Sequence, residues 1–368
     1  MKNFDEVFED RTKYGTKIKT SEYQKRGKYA IIDQGQEQIS GYTDIEEGLF
    51  EDVPVIIFGD HTRVVKYVDE PFFLGADGVK VLKSKYIDAN YRYLYYALKN
   101  VPIPNTGYNR HFKWLKEVKI KYPSQEKQKN IVRVLDNLSN IINKRQKELL
   151  QFDNLIKARF VELFGDPELN PMGWERVTLN DVCSSIVRGP FGSALKKEFF
   201  VEPDETTYKV YEQKHAIQKS ASIGTYYITE EKYQELKRFE CLPGDILMSC
   251  SGTMGELYQL PDGCEKGVIN QALCKFTLNE RILPICFLVY MKQTIGNLET
   301  KGSGIQNIAA VSYVKQMSIN LPPMNVQKEF EEFVHQVDKS KVAVQINKDT
   351  TQELLITYIF IINKCCYK

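Results

Sequence analysis

A chain of 368 residues exceeds one ordinary domain, so two separate cores are the first expectation. Lys and Arg number 50 against 48 Asp and Glu, a net charge of +2, so no global field marks the chain as a binder of nucleic acid or membrane. The 8 cysteines stand singly apart from Cys365 and Cys366, with no Cys-x-x-Cys near a histidine pair; neither a zinc site nor a disulfide framework is indicated, and a reducing compartment fits.

In chain order, Arg11, Lys13, Lys17, Lys19, Lys25, Arg26 and Lys28 form a basic run containing one acid, Glu22. Tyr29-Ala-Ile-Ile32, Val53-Pro-Val-Ile-Ile-Phe58, Val64-Val-Lys-Tyr-Val68 and Val79-Lys-Val-Leu82 predict short strands bounded by Gly and Asp, and a helix follows from Ala89 to Asn100. Arg110, Lys113, Lys116, Lys119 and Lys121 then surround His111, Phe112 and Trp114. Either basic run could neutralise phosphates, and either could be a solvated charged face. From Ser124 an apolar stripe through Ile131, Leu135, Leu138, Ile142, Leu149, Phe152, Ile156, Phe160 and Leu163 meets no Pro or Gly before Gly165. About forty helical residues at ~1.5 Å rise make a rod of roughly 60 Å, a length typical of coiled-coil partners. Past it, Gly244-Asp-Ile-Leu-Met-Ser249, Gly267-Val-Ile-Asn270 and Leu273-Cys-Lys-Phe276 predict strands, and Pro284 to Gly296 a helix, one such helix being expected per block.

The chain also repeats itself. Ile120-Lys-Tyr-Pro-Ser-Gln-Glu-Lys-Gln-Lys129 aligns with Ile319-Asn-Leu-Pro-Pro-Met-Asn-Val-Gln-Lys328 at an offset of 199, that is 319 minus 120. The same offset sets Leu135 on Val334, Leu138 on Val337, Phe160 on Ile359 and Leu163 on Ile362. Each stripe starts just after proline, which suits a strand end and a first helical turn but no helix interior. The second helix, from about Asn325, is the natural antiparallel mate of the first; the other reading packs each helix on its own preceding domain. The expected class is α+β, with two mixed α/β domains separated by two long antiparallel coiled-coil helices. The expected boundaries are 1–122, 123–165, 166–322 and 323–368.

This arrangement resembles the specificity subunits of type I restriction-modification enzymes across nearly the whole chain. Gly27-Lys-Tyr-Ala-Ile-Ile-Asp-Gln-Gly-Gln36, Ile56-Ile-Phe-Gly-Asp-His-Thr62 and Leu74-Gly-Ala-Asp-Gly-Val79 look like one class of target recognition domain. Arg188-Gly-Pro-Phe-Gly-Ser193, Tyr208 to Gln213, Pro243-Gly-Asp-Ile-Leu247, Ser251-Gly-Thr253 and Ile269-Asn-Gln271 look like another. Arg159-Phe-Val-Glu-Leu-Phe-Gly-Asp-Pro167, followed by Gly173-Trp174, resembles the link from the first helix into the second domain. The resemblance implies a non-catalytic subunit whose two domains each read half of a split sequence in double-stranded DNA, with the helices as a ruler. It implies two methyltransferase subunits and restriction-translocase subunits as partners. S-adenosylmethionine, ATP and Mg²⁺ would belong to those partners and no cofactor to this chain. Separately, the sequence shows no apolar N-terminal signal segment, and a cytoplasmic setting without a membrane is expected.

The residues agree with the missing chemistry. Asn320-Leu-Pro-Pro-Met324 breaks the Asn/Asp-Pro-Pro-Tyr/Phe pattern of an adenine methyltransferase, and no G-x-x-x-x-G-K-[ST] phosphate loop occurs. Pro203-Asp204 followed by Glu212-Gln-Lys214 mimics a Mg²⁺-dependent nuclease pattern, which stays open as the enzyme alternative beside a coiled-coil scaffold. His61, His111, His215 and His335 are dispersed and expected as polar surface or hydrogen-bonded loop residues; Gly302-Ser-Gly304 is expected as a turn. Base reading needs Arg or Lys for guanine and Asn or Gln for adenine, while Lys, Ser, Thr and amides hold phosphates. Near bases the first domain offers Gln34, Gln36, His61, Thr62 and Arg63, with Lys13, Lys17, Arg110 and Lys113 on phosphates. The second offers Arg188, Ser193, Gln213, Lys214, Ser251, Thr253 and Gln271, with Lys196 and Lys197 on the backbone. One departure from the family pattern is the apolar finish Leu354-Leu-Ile-Thr-Tyr-Ile-Phe-Ile-Ile362 before Asn363-Lys-Cys-Cys-Tyr-Lys368, which suggests a frameshifted or truncated end. That apolar run is about half of the ~20 residues needed to cross a bilayer.

Overall fold

The computed structural model describes residues 1–368 except 76, 100, 167–168, 192–193, 296–299, 302–306, 309–310 and 364–368. The chain forms two compact units, Met1–Leu149 with Ala343–Lys368, and Leu150–Val342. Among the described residues no helix is long and apolar enough to cross a membrane.

In the first unit Lys2–Asn3 pairs antiparallel with Lys119–Ile120, and a single helical turn, Phe4–Val7, follows. A four-stranded antiparallel sheet orders Phe8–Asp10, Val79–Ser84, Val55–Gly59 and Val65–Val68. A second sheet orders Gly41–Thr43, Tyr29–Ile32 and Phe72–Leu74, the last two parallel. All five residues of Val55–Gly59 are buried. The strand's period of two explains it: Ile56 and Phe58 enter a core with Phe4, Phe8 and Leu94, while Val55 and Ile57 enter another with Phe72, Leu74 and Val81. A strand coated on both faces reads as a continuous apolar run, as this one does.

The second unit repeats that plan. Glu175–Thr178 pairs with Ser318–Leu321, and the turn Leu179–Val182 follows. One sheet orders Cys183–Arg188, Leu273–Leu278, Ile246–Ser249 and Leu257–Gln259. The other orders Tyr227–Ile228, Tyr208–Tyr211, Gly267–Ile269 and Glu240–Cys241, again with one parallel pair, Tyr208–Tyr211 beside Gly267–Ile269. Ile246 and Met248 face one core and Leu247 the other. Connection for connection the two units share a topology, so the repeat detected in the helices extends to the sheets.

The long helices are Gln125–Phe164 and Met324–Asn363, each of 40 residues, as the proline-led stripes predict. Within each unit their segments run antiparallel. In the first, Leu135 shares a core with Leu355, Ile359 and Ile362, and Arg145 Nε donates to Asn347 at 3.0 Å. In the second, Phe330 packs on Phe160 and Phe164 at centroid distances of 5.6 and 5.3 Å, and Lys341 pairs with Asp153 at 2.8 Å. The apolar finish stays helical through Asn363, burying Leu355, Ile359 and Ile362 while Leu354, Ile356, Phe360 and Ile361 are exposed.

Three expectations need correction. The predicted helices from Ala89 and Pro284 shorten to Tyr91–Leu98 and Pro284–Thr294, the first because the Asn90 side chain caps it by accepting from Tyr93 N at 3.0 Å. One helix per block was too few: Phe112–Lys116, Gln213–Gln218, Glu230–Glu235 and Val311–Gln316 are also helical, and five or six residues give too little periodicity to detect. His111 and His215 are hydrogen-bonded, as one of the two expectations had it, but fully buried, and His215 lies in a helix rather than a loop. The expected turn at Gly302-Ser-Gly304 lies outside the described residues.

Candidate nucleic-acid interface

The candidate residues fall on equivalent connections in the two units. Gln34 and Gln36 follow Tyr29–Ile32, as Gln213 and Lys214 follow Tyr208–Tyr211. His61, Thr62 and Arg63 follow the central strand Val55–Gly59, as Ser251 and Thr253 follow Ile246–Ser249. Lys13 and Lys17 lie past Phe8–Asp10, as Lys196 and Lys197 lie past Cys183–Arg188, whose last residue is Arg188 itself. Gln271 follows Gly267–Ile269, and the matching connection in the first unit carries Asp77.

Hydrogen bonds gather these loops in the first unit. Gln34 Nε2 donates to Asp77 O at 3.0 Å, its Oε1 accepts from His61 N at 3.1 Å, and its carbonyl accepts from Thr62 Oγ1 at 2.6 Å. Both ends of the amide are therefore engaged, and Gln34 fastens the His61 loop to the Asp77 loop. Arg63 takes the left-handed conformation with φ 62° and donates from Nη1 to Ile103 O at 3.3 Å. The His61 ring stacks on the exposed Tyr108 at 4.6 Å with 9° between the planes. Gln36 and Arg110 are exposed. Lys113 lies 4.2 Å from the Trp114 ring on a helix whose Phe112 and Leu115 are buried.

The basic run from Arg11 is less positive than its spelling. Arg11 pairs with Glu9 at 2.5 Å, Lys17 with Asp77 at 2.6 Å and Lys28 with Glu46 at 2.5 Å, acids contributed from outside the run. The Lys17 ammonium holds the Asp77 carboxyl below the usual carboxylate range. Lys13 and Lys17, with Lys80, Thr12 and Gly15, line an open trough of about 780 Å³ that also contains Asp10. Under the loops, Lys66 is buried, donates to Glu37 O and lies 3.7 Å from Asp33. Burial pushes its ammonium down, opposed by Asp33.

The second unit brings Arg188, Gln213, Ser251 and Gln271 together. Arg188 Nε donates to Gln271 O at 3.4 Å, and its guanidinium lies 5.1 Å from the exposed Phe191 ring. Cys250 N donates to Ala272 O at 2.8 Å, and Gln213 Nε2 donates to Ser251 O. A Cβ on Gly189 would stand 1.9 Å from Asn270 O, so only glycine lets the strand ending at Arg188 approach that turn. Thr253 is exposed, and its carbonyl accepts from Ser249 Oγ at 2.6 Å. Lys214 pairs with Glu212 at 2.6 Å. Lys196 pairs with Glu198 at 3.5 Å beside the exposed Lys197. Ser193 lies outside the described residues.

Residue type alone missed Asp77, Tyr108 and Phe191. Asp77 is a counter-charge, and the two aromatics draw notice only once their exposure is known. On the nuclease pattern, Asp204 closes its own turn by accepting from Thr206 N at 2.7 Å and Thr206 Oγ1 at 2.8 Å. Among the described residues no three or more His, Cys, Asp or Glu side chains form a group able to hold a metal ion.

Comparison with known proteins bears on the fold and the family. An Escherichia coli type I restriction enzyme specificity subunit is 28% identical over 157 residues, covering 39% of this chain; the match spans 38% of that protein's length. A type I restriction-modification S subunit from M. genitalium has a similar fold, with a TM-score of 0.52 at 15% identity over 98% of this chain and 95% of that one. A chain from a structural study of assembly and conformational transition in the type I system gives a TM-score of 0.58 at 13% identity, over 97% and 94% of the two chains. The family model for the type I restriction modification DNA specificity domain matches residues 1–151 and 171–355, most of the sequence, and the chain belongs to that family.

Proposed function

We propose that this chain is the sequence-reading subunit of a type I restriction-modification complex, with each unit reading one half of a split site in double-stranded DNA. The observation that carries this reading is the duplication: amide and hydroxyl side chains occupy the same strand-end connections in two units of one topology. Loops mounted on a rigid sheet are where base-edge donors and acceptors are held with least reorganisation. Gln36, His61, Thr62 and Arg63 in the first unit, and Arg188, Ser193, Gln213, Lys214, Ser251, Thr253 and Gln271 in the second, take bases. Lys13, Lys17, Arg110, Lys113, Lys196 and Lys197 take phosphates. Gln34 acts beneath that surface by holding two loops together.

The chain directs chemistry performed elsewhere. Two methyltransferase subunits supply S-adenosylmethionine-dependent adenine methylation, and restriction-translocase subunits supply the ATP- and Mg²⁺-dependent steps. Mapping methylated adenine in the host genome, with this gene intact and deleted, tests the reading. A split motif whose methylation vanishes on deletion is expected; an unchanged methylation pattern would refute it.

A further inference from the structure

His215 is fully buried, although it lies in a short polar helix and is not among the base or phosphate contacts proposed above. Its ring spans the two ends of one segment. Nε2 lies 2.7 Å from Ile223 O, and a carbonyl only accepts, so Nε2 carries a proton. Nδ1 lies between the Glu212 N–H at 2.8 Å and the Glu212 carbonyl at 3.0 Å; with the proton on Nε2, the neutral ring accepts the nearer N–H there. Glu212 is the N-cap of Gln213–Gln218, so the imidazole satisfies a backbone donor at the start of the helix that carries Gln213 and Lys214. At the other end of the segment, Gly224 has φ +92°, and a Cβ there would stand 2.9 Å from ring atoms Cε1 and Nε2. The backbone closes over the ring only because residue 224 is glycine.

Two other contacts start from this segment. Gln213 Nε2 reaches Ser251 O across to the central-strand loop, and Lys214 pairs with Glu212. The groups around the ring are Tyr211, edge-on at 5.1 Å, with Glu212, Lys209 and Lys214. We infer that His215 is a positioning residue for DNA reading: its neutral imidazole ties Glu212 to Ile223 and thereby aims Gln213 and Lys214 at one half-site. This rests on the DNA-reading proposal above.

The test is selection by the full chain from a randomised duplex DNA library, with denaturation midpoints recorded for every variant. The wild-type chain should enrich a two-part motif, and Gln213→Ala with Lys214→Ala identifies the half that this segment serves. His215→Ala should lower enrichment about tenfold at those same positions, the scale of one lost bidentate base contact, and leave the other half unchanged. Combining all three substitutions should add nothing, because His215 acts through the other two side chains. His215→Asn keeps an acceptor near the Nδ1 position but loses the Ile223 bond, so its enrichment at that half should fall between wild type and His215→Ala; if His215→Ala does not fold, full enrichment by a folded His215→Asn chain overturns the inference. The inference is overturned if a folded His215→Ala chain keeps full enrichment, if the loss spreads over both halves, or if the triple variant loses more than the pair. A wild-type chain that enriches no motif at all would instead sink the DNA-reading proposal, and this inference with it.

Discussion

Arg188 ends a strand beside the turn that carries Gln271, and its Nε donates to the Gln271 carbonyl, which fixes where the guanidinium fork stands. Arg188→Ala should cost about 1–3 kcal/mol at one base pair if that fork meets guanine, and measured affinities should fall only for duplexes with the correct base there. Equal weakening on every sequence would reassign Arg188 to a phosphate. His215 permits a second expectation, in stability. Burial pushes its imidazole down, with the Glu212 and Ile223 carbonyls opposing. An unfolded imidazole titrates near ~6.5, so below that pH and above the depressed folded value the unfolded chain binds the extra proton. Stability contributed by the neutral ring is thus complete above about pH 6.5 and lost as pH falls toward the folded value. Urea midpoints of the wild-type chain should drop more between pH 7.5 and 5.5 than those of His215→Asn, and parallel drops would exclude the linkage.

At the scale of elements, the strand-to-helix junctions repeat with a difference. Gln128 and Gln327 are related by the same offset of 199, both are buried, and each donates at 2.9 Å to the carbonyl of the proline five residues earlier, Pro123 or Pro322. Gln327 does more: it also donates to Arg281 O at 2.9 Å and accepts from Leu283 N at 2.9 Å, fastening the start of Pro284–Thr294 to the long helix. Removing it takes a partner from three backbone groups, the buried Pro322 carbonyl among them, so Gln327→Ala should cost on the order of 3 kcal/mol against about 1 kcal/mol for Gln128→Ala. Denaturant titration of the two variants checks the ordering, and equal losses would contradict it.

The junctions and the long helices were legible in the sequence because a stripe sustained over forty residues is a strong periodic signal. Sheet duplication was not, since strand neighbours depend on topology: Tyr29–Ile32 and Tyr208–Tyr211 occupy one position in two different spellings. Candidate site residues could be placed on loops by sequence, but residue type alone does not reveal occupancy. Gln34 has both ends of its amide taken within the protein, and Lys17 has a carboxylate 60 residues away in sequence. His111 is held by Asp60 O at 3.0 Å, from 51 residues away, a partner that only the fold supplies.

For the whole molecule, the decisive feature is where the chain passes between its units. It does so at 149–150 and at 342–343, inside Gln125–Phe164 and inside Met324–Asn363, so both passages are helical backbone. A helix lengthens by a fixed ~1.5 Å per residue, whereas a flexible linker has no set length. Inserting four residues into both helices at these passages adds about 6 Å and turns the apolar seam by roughly 40°, little enough for the pairing to re-form. If helical length sets the distance between half-sites, the preferred spacer should grow by about two base pairs at ~3.4 Å each, while the bases within each half stay the same. Selection from libraries of varied spacer reads this directly. An unchanged optimum would show that the helices do not set the distance, and a broad optimum in the unmodified chain would show that the units read DNA independently.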